Sequence, residues 1–126
     1  MEQTQKVFYL ETHSQNPYYN LAFEEFVLTH RLEGEYLLLW QNDNTIVVGQ
    51  NQNTEAEINR AFVEEHHINV VRRSTGGGAV YHDLGNLNYS FITDAGDKES
   101  ISMARFTHPV VEALRGLGLQ PGASGR

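Results

Sequence analysis

The chain has 126 residues, 40% of them hydrophobic and 20% charged, no cysteine and a formal net charge of −7. That length allows one domain with a modest core, and the lack of cysteine excludes disulfides, a thiol nucleophile and zinc–thiolate sites within it. The acidic balance argues against a general nucleic-acid binder, whose affinity rests on phosphate neutralisation by Lys and Arg.

The polar start, Met1-Glu2-Gln3-Thr4-Gln5-Lys6, has no signal-peptide h-region. No apolar run approaches the ~20 residues of a membrane-spanning helix. Both features favour a cytosolic protein without a membrane partner. Lys6–Leu10 reads as a short strand. Asn16-Pro17 predicts a helix start, with Asn as N-cap and Pro at the first helical position, running to about Arg31. Leu21, Ala22, Phe23, Phe26 and Val27 supply its apolar face. Tyr36–Trp40 reads as a buried strand, and Asn42-Asp43-Asn44 as a tight turn into Thr45–Gly49, so a hairpin is expected. Thr54 and Glu57 match a capping box for a helix to about His66 or His67. Ile68–Arg72 is the next strand, followed by Val80-Tyr81 and Leu87–Ile92, joined through Asp83-Leu84-Gly85. After an Asp94–Asp97 loop, a last helix spans about Ser102 to Leu117. Pro109 either kinks it or marks its start, and Gly118 suits its C-terminal cap. The pattern predicts a mixed α/β (α+β) fold with hairpins interrupted by helices, and not a doubly wound parallel sheet.

The most informative stretch runs from Arg72 to Asn86: Arg72-Arg73-Ser74-Thr75-Gly76-Gly77-Gly78-Ala79-Val80-Tyr81-His82-Asp83-Leu84-Gly85-Asn86. Glycines let the main chain approach a ligand closely. Backbone N–H groups in such a turn can form an anion-binding concavity. Arginine adds a fixed charge and a planar donor fork suited to phosphate or carboxylate. The segment therefore reads as a nucleotide- or acyl-phosphate-binding loop leading into a strand, with Arg72 and Arg73 as a local basic site. It has neither the P-loop pattern nor the dinucleotide fingerprint, and a β-prone stretch follows the glycines. A glycine-rich hairpin with solvated arginines is the bland alternative.

Arg-Arg-x-x-Gly-Gly-Gly-x-Val-x-His-Asp-x-Gly-Asn resembles the signature of lipoate–protein ligases. Asn20-Leu21-Ala22-Phe23-Glu24-Glu25 resembles that family's first-helix motif. Leu39-Trp40-Gln41-Asn42 and Val47-Val48-Gly49-Gln50-Asn51-Gln52-Asn53 resemble its next two strands. The resemblance runs in order from about Asn16 to Arg126. It implies a largely antiparallel sheet packed with helices, the fold shared with biotin ligases and class II aminoacyl-tRNA synthetases. It also implies two-step chemistry. ATP and lipoate form lipoyl-adenylate and pyrophosphate, and the lipoyl group then passes to a lysine of an acceptor lipoyl domain.

The resemblance places Arg73, Thr75, Gly76, Gly77, Gly78, Ala79, Val80 and Tyr81 at the ATP or adenylate. It places Leu21, Phe23, Glu24, Trp40, Val80 and His82 at the lipoyl end of the tunnel, and counts Arg73, Gly78 and Asn86 as substrate-binding as well. Trp40 and Leu21 also suit ordinary core positions, and Glu24 a solvated helix face. His82 also suits a structural histidine, and Asp83, Gly85 and Asn86 a turn. His13, His30, His66, His67 and His108 read as surface or structural. ATP is the implied co-substrate and Mg²⁺ is expected with it, though no residue set for a metal stands out. The implied partners are lipoate and apo lipoyl domains of 2-oxoacid dehydrogenases or the glycine-cleavage carrier protein.

In the family a strand with the essential lysine follows the Ser-Gly-Arg segment, and this chain ends at Ser124-Gly125-Arg126. Neither Lys6 nor Lys98 has a matching context. The chain is thus expected to be the N-terminal portion of a catalytic domain, inactive alone, with the C-terminal part of the same enzyme as a further partner. Alternatives are an ATP-independent octanoyl or lipoyl acyltransferase and a non-catalytic lipoate- or adenylate-binding protein. A biotin–protein ligase ranks lower, because its Gly-Arg-Gly-Arg-x-Gly loop is absent.

Overall fold

The computed structural model describes residues 6–31, 33–94 and 103–122. Met1 to Gln5, the Asp94–Asp97 loop beyond Asp94, Lys98, the helix start at Ser102 and the Ser124-Gly125-Arg126 tail lie outside the described residues. Contacts divide the chain into two units, Met1–Ile92 and Thr93–Arg126.

The first unit contains β1 (Val7–Glu11), α1 (Pro17–His30), β2 (Glu35–Trp40), β3 (Thr45–Val48), α2 (Thr54–Glu57), α3 (Arg60–Glu65), β4 (Asn69–Arg72), β5 (Val80–His82) and β6 (Asn88–Ile92). The strands form two three-stranded sheets, ordered β1-β2-β6 and β4-β3-β5. In each, the central strand has one parallel and one antiparallel neighbour. α1 begins as expected: the Asn16 side chain accepts from the Tyr18 and Tyr19 amides, and Pro17 occupies the first turn. Val27 of α1 packs with Leu38 and Ile92, and Leu10, Phe23, Tyr36 and Trp40 surround them. Val47, Val48, Val63 and Val71 are buried in the other half of the unit. Each such side chain contributes about 1.5–3 kcal/mol by leaving water.

Two expectations are corrected. β2 and β3 do not form a hairpin; they are the central strands of different sheets. The reason is Asn42, which is fully buried and bonded to α1 through Asn20 instead of exposed in a turn. Residues 41–44 therefore carry the chain from one sheet to the other, as do residues 83–87 between β5 and β6. The single helix expected from Thr54 is two short ones. Asn53, not Thr54, caps the first, and Asn59 caps the second. The Thr54 hydroxyl is taken by Arg72, whose Nη2 donates to it at 2.7 Å.

The second unit holds α4 (Met103–Gly116), with Pro109 inside it. One backbone donor is thus missing within the helix. Gly118 has φ +85°, and the amides of Gly118 and Leu119 donate to the carbonyls of Arg115 and Leu114. These two bonds are the Schellman arrangement that glycine permits.

Candidate functional site

β4 ends at Arg72 with Arg73 directly after it, and the structure separates their tasks. The Arg72 guanidinium donates to the carbonyls of Gly49, Gln50 and Gln52 at 2.9, 3.2 and 2.7 Å. With Thr54 as its fourth partner, it clamps the loop between β3 and α2. Arg72 is therefore anchored to this loop, while its Nε–H and one Nη2 hydrogen have no acceptor among the described residues, and it lines a groove that Arg73 lines too. Arg72→Ala should cost about 2 kcal/mol in urea unfolding, since charge-assisted hydrogen bonds are lost together. Arg72→Lys should recover only part of this, because one ammonium cannot reproduce the fork.

Arg73 turns into the glycine segment. Its Nε donates to Gly76 O at 3.2 Å, its Nη2 to Gly76 O at 2.9 Å and Gly78 O at 2.7 Å, and its Nη1 to Val47 O at 3.3 Å. A guanidinium has five N–H groups. These bonds take Nε–H, both Nη2 hydrogens and one on Nη1, leaving one Nη1 hydrogen without an acceptor among the described residues. Peptide units are trans and planar. With the carbonyls of Gly76 and Gly78 aimed at Arg73, the N–H groups of Gly77 and Ala79 point away from it.

The glycines differ in why they are glycines. Gly77 has φ +106°, and a Cβ there would lie 2.7 Å from Arg73 Nη2. Gly49 passes beneath it, where a Cβ would lie 2.1 Å from Gly77 O. A Cβ on Gly76 or Gly78 would meet nothing within 4 Å. Protein packing therefore demands glycine at 49 and 77, whereas 76 and 78 border open space. Gln50 N donating to Thr75 O at 2.9 Å ties the two crossing loops together.

Beside this segment lies a groove of about 340 Å³ between α1 and β4, lined among others by Leu21, Glu24, Val70, Arg73 and Ser74. From Glu24 a polar chain runs inward: the Trp40 indole donates to Ser90 Oγ at 3.0 Å, and the Ser90 hydroxyl donates to the Glu24 carboxylate. The Trp40 ring meets His82 edge-on, centroids 6.1 Å apart. His82 is only 8% exposed, and its Nδ1 lies 3.1 Å from Asn42 Nδ2. Burial first, and the charge of Arg73 second, push the His82 imidazole below its ordinary pKa.

Residues 16–126 match the family described as the lipoyl protein ligase A/B catalytic domain. The chain belongs to that family. It is 51% identical over 112 residues to lipoate-protein ligase LplJ of Bacillus subtilis, covering 88% of this chain and 34% of that protein. Identity to lipoate–protein ligase 1 of Staphylococcus aureus is 48% over 112 residues, with the same 88% and 34% coverage. The chain thus spans about a third of the length of these curated relatives. Among solved structures, P. falciparum LipL1 in complex with lipoate superposes with a TM-score of 0.83 at 30% identity, covering 95% of this chain and 39% of that one. A lipoate-protein ligase A bound with ATP gives 0.79 at 30% identity, covering 98% and 52%. The bi-partite lipoate protein ligase of Thermoplasma acidophilum, studied with its E2 lipoyl domain, gives 0.81 at 34% identity, covering 96% and 49%. The mixed α/β fold is that of lipoate–protein ligases.

Of the residues that the ligase resemblance singled out, Leu21, Glu24 and Arg73 line one groove. Trp40 and His82 touch each other, and Phe23 packs against the core cluster. Val80 and His82 lie on one face of β5 and Tyr81 on the other, as strand alternation requires. The Tyr81 hydroxyl donates to Asn44 at 3.0 Å. Thr75 is exposed and Ala79 half-buried. Asp83 accepts from Gly85 N at 2.8 Å, which makes its turn local, and Asn86 donates to Asn88 Oδ1 at 3.0 Å. The sequence reading missed Ser90, which links Trp40 to Glu24, and Asn42, which meets His82. It also missed Asn88, whose Nδ2 is buried without a hydrogen-bond partner. A polar residue within a strand-like run was the available signal for Ser90 and Asn88; Asn42 stood in the Leu39-Trp40-Gln41-Asn42 stretch but was read as part of a turn.

The lowered His82 pKa has a testable sign. In a proton NMR titration its midpoint should fall below the ordinary value of about 6.5. The stability that neutral His82 contributes is complete above about 6.5 and is lost as pH falls through its folded pKa. Arg73→Gln should raise the midpoint, yet leave it below the ordinary value because burial remains.

Proposed function

We propose that the full-length protein is an ATP-dependent lipoate–protein ligase and that residues 1–126 are the N-terminal portion of its catalytic domain. The observation that carries this reading is Arg73. Its guanidinium organises the glycine segment from inside and keeps one Nη1 hydrogen for an anion. In the first step a lipoate carboxylate oxygen attacks the α-phosphorus of ATP and pyrophosphate leaves. Arg73 opposes the charge that gathers on the phosphoryl oxygens. The N–H groups of Gly77 and Ala79 add fixed dipoles, and Gly76 and Gly78 admit the acyl-adenylate to bare backbone. Leu21, Trp40 and Val80 wall the acyl chain, and His82 and Asn86 meet its polar end. In the second step a lysine amine attacks the acyl carbon and AMP leaves.

The lipoate-bound and ATP-bound relatives support both substrates, and the T. acidophilum pair supports a lipoyl domain as acceptor. We assign the acceptor to a 2-oxoacid dehydrogenase or the glycine-cleavage carrier, and the site of action to the cytosol. No helix among the described residues is long and apolar enough to cross a membrane. The described residues contain no group of three or more His, Cys, Asp or Glu able to hold a metal ion. A Mg²⁺ arriving with ATP would be held mainly by phosphate oxygens and water, and no step above is routed through it.

The test is pyrophosphate release by the full-length protein. It should require both ATP and lipoate, and an apo lipoyl domain added after ATP is removed should become lipoylated. Acyl transfer that needs no ATP would replace this reading with an acyltransferase. Tight binding without turnover would replace it with a non-catalytic binder.

A further inference from the structure

A line of polar side chains runs from Thr12, just after β1, to β5, and is buried at Asn20, Asn42 and His82. The Thr12 hydroxyl donates to Asn20 Oδ1 at 2.6 Å. Asn20 Nδ2 lies 2.9 Å from Ser14 O, 2.8 Å from Gln41 O and 2.9 Å from Asn42 Oδ1. Asn42 Nδ2 lies 3.1 Å from His82 Nδ1. Asn20 and Asn42 are 1% and 0% exposed, so no solvent offers either an alternative partner.

The direction of every bond in this line follows from its fixed end. Carbonyl oxygens only accept, so the atom of Asn20 that faces Ser14 and Gln41 must be its NH₂. That NH₂ also faces Asn42 at 2.9 Å, sharing its two hydrogens among three acceptors; a second NH₂ there would set donor against donor, so the atom presented by Asn42 is its oxygen. The other end of the Asn42 amide, facing His82, is therefore its NH₂, which only donates. Nδ1 of His82 must then accept, and its single ring proton sits on Nε2.

We propose that Asn42, held by Asn20 and Thr12, is a positioning residue that locks His82 as the neutral Nε2–H tautomer, so that the imidazole gives an acyl ligand a donor and never a charge. This rests on the reading above that His82 meets the acyl end of the ligand. The charged and titratable groups around His82 fit a neutral ring. Arg73 repels a proton there. The Glu24 carboxylate on α1 accepts from Ser90, which in turn accepts from the Trp40 indole whose ring meets His82. The β3 residue paired with His82 is the uncharged Thr45.

The first readout is the ¹⁵N spectrum of histidine-labelled full-length protein, with His82 assigned by difference against His82→Gln. The expected result is one protonated Nε2 and one unprotonated Nδ1 at neutral pH. Asn42→Asp, close in shape but an acceptor, should protonate Nδ1 and raise the His82 midpoint. The second readout is calorimetric binding of a non-hydrolysable lipoyl-adenylate analogue. His82→Gln places an amide donor near Nε2 and should keep most affinity. His82→Asn places it near Nδ1 and should lose about tenfold, the worth of one hydrogen bond to the ligand. Asn42→Asp should lose a similar factor. A wild-type spectrum with the proton on Nδ1, or averaged between the nitrogens, would overturn the lock whatever the ligand. A locked Nε2–H with unchanged binding in His82→Asn would instead remove His82 from the ligand and overturn the role given to the lock.

Discussion

Arg73→Ala is expected to lower affinity for a lipoyl-adenylate analogue by about 10- to 100-fold, the worth of one hydrogen bond between charged groups. The fold should lose only about 1–2 kcal/mol, because the carbonyls of Gly76 and Gly78 belong to exposed residues and only that of Val47 to a buried one. Two consequences of one deletion are at work. The charge beside the acyl phosphate disappears, and the carbonyls of Gly76 and Gly78 lose the group that turns them inward. The Gly77 and Ala79 amides then have no fixed direction, so ligand binding must order them. Arg73→Lys separates the two effects. It restores charge but cannot span Gly76, Gly78 and Val47 together, and should recover less than half of the lost binding free energy. Calorimetry beside a thermal melt reads both quantities. Near-normal affinity in a folded Arg73→Ala protein would contradict this account.

Gly49→Ala should be among the most damaging small substitutions in the chain, costing about 3 kcal/mol in urea unfolding. The added methyl would lie 2.1 Å from Gly77 O and 3.1 Å from Gly77 C, both main-chain atoms. Neither strand of this crossing can yield cheaply. Gly49 is held by Gln52 at its amide and by Arg72 at its carbonyl. Gly77 sits between two carbonyls bound to Arg73. Gly76→Ala supplies the contrast, since its methyl meets nothing within 4 Å. Its stability should stay within about 0.5 kcal/mol of the parent. Its affinity for the analogue should fall at least about tenfold, because the methyl occupies the side from which the ligand approaches. Equal stability of the two variants would show that the crossing is not tight.

What the sequence disclosed divides by the range of the interaction. Asn16-Pro17 announced the start of α1 and Gly118 its counterpart after α4, because caps are made by neighbours in sequence. Asn42 misled, since beside Asp43 and Asn44 it has the composition of a turn. Its partners are Asn20 and His82, 22 and 40 residues away, and they put it in the interior and β2 and β3 in separate sheets. Thr54 misled for the same reason. Thr-x-x-Glu is a local capping pattern, but Arg72 claims its hydroxyl from 18 residues away. The triple glycine was read as a ligand-facing loop from its composition. That Gly77 serves the fold while Gly76 and Gly78 face space depends on Arg73 folding back on its own loop, which spacing does not encode. Gly49 stood in a recognised strand motif, yet its reason for being glycine is a residue 28 positions later.

The central claim is that the acyl phosphate sits at the glycine segment with Arg73 beneath it. A crystal structure of the full-length protein with a non-hydrolysable lipoyl-adenylate analogue tests this most directly. The phosphate is expected beside the glycine segment within hydrogen-bond distance of the free Nη1 hydrogen of Arg73, with the acyl carbonyl at His82 and the chain leading toward Leu21 and Trp40. A phosphate bound elsewhere, with the segment unchanged and Arg73 bonded only to its own loop, would contradict it.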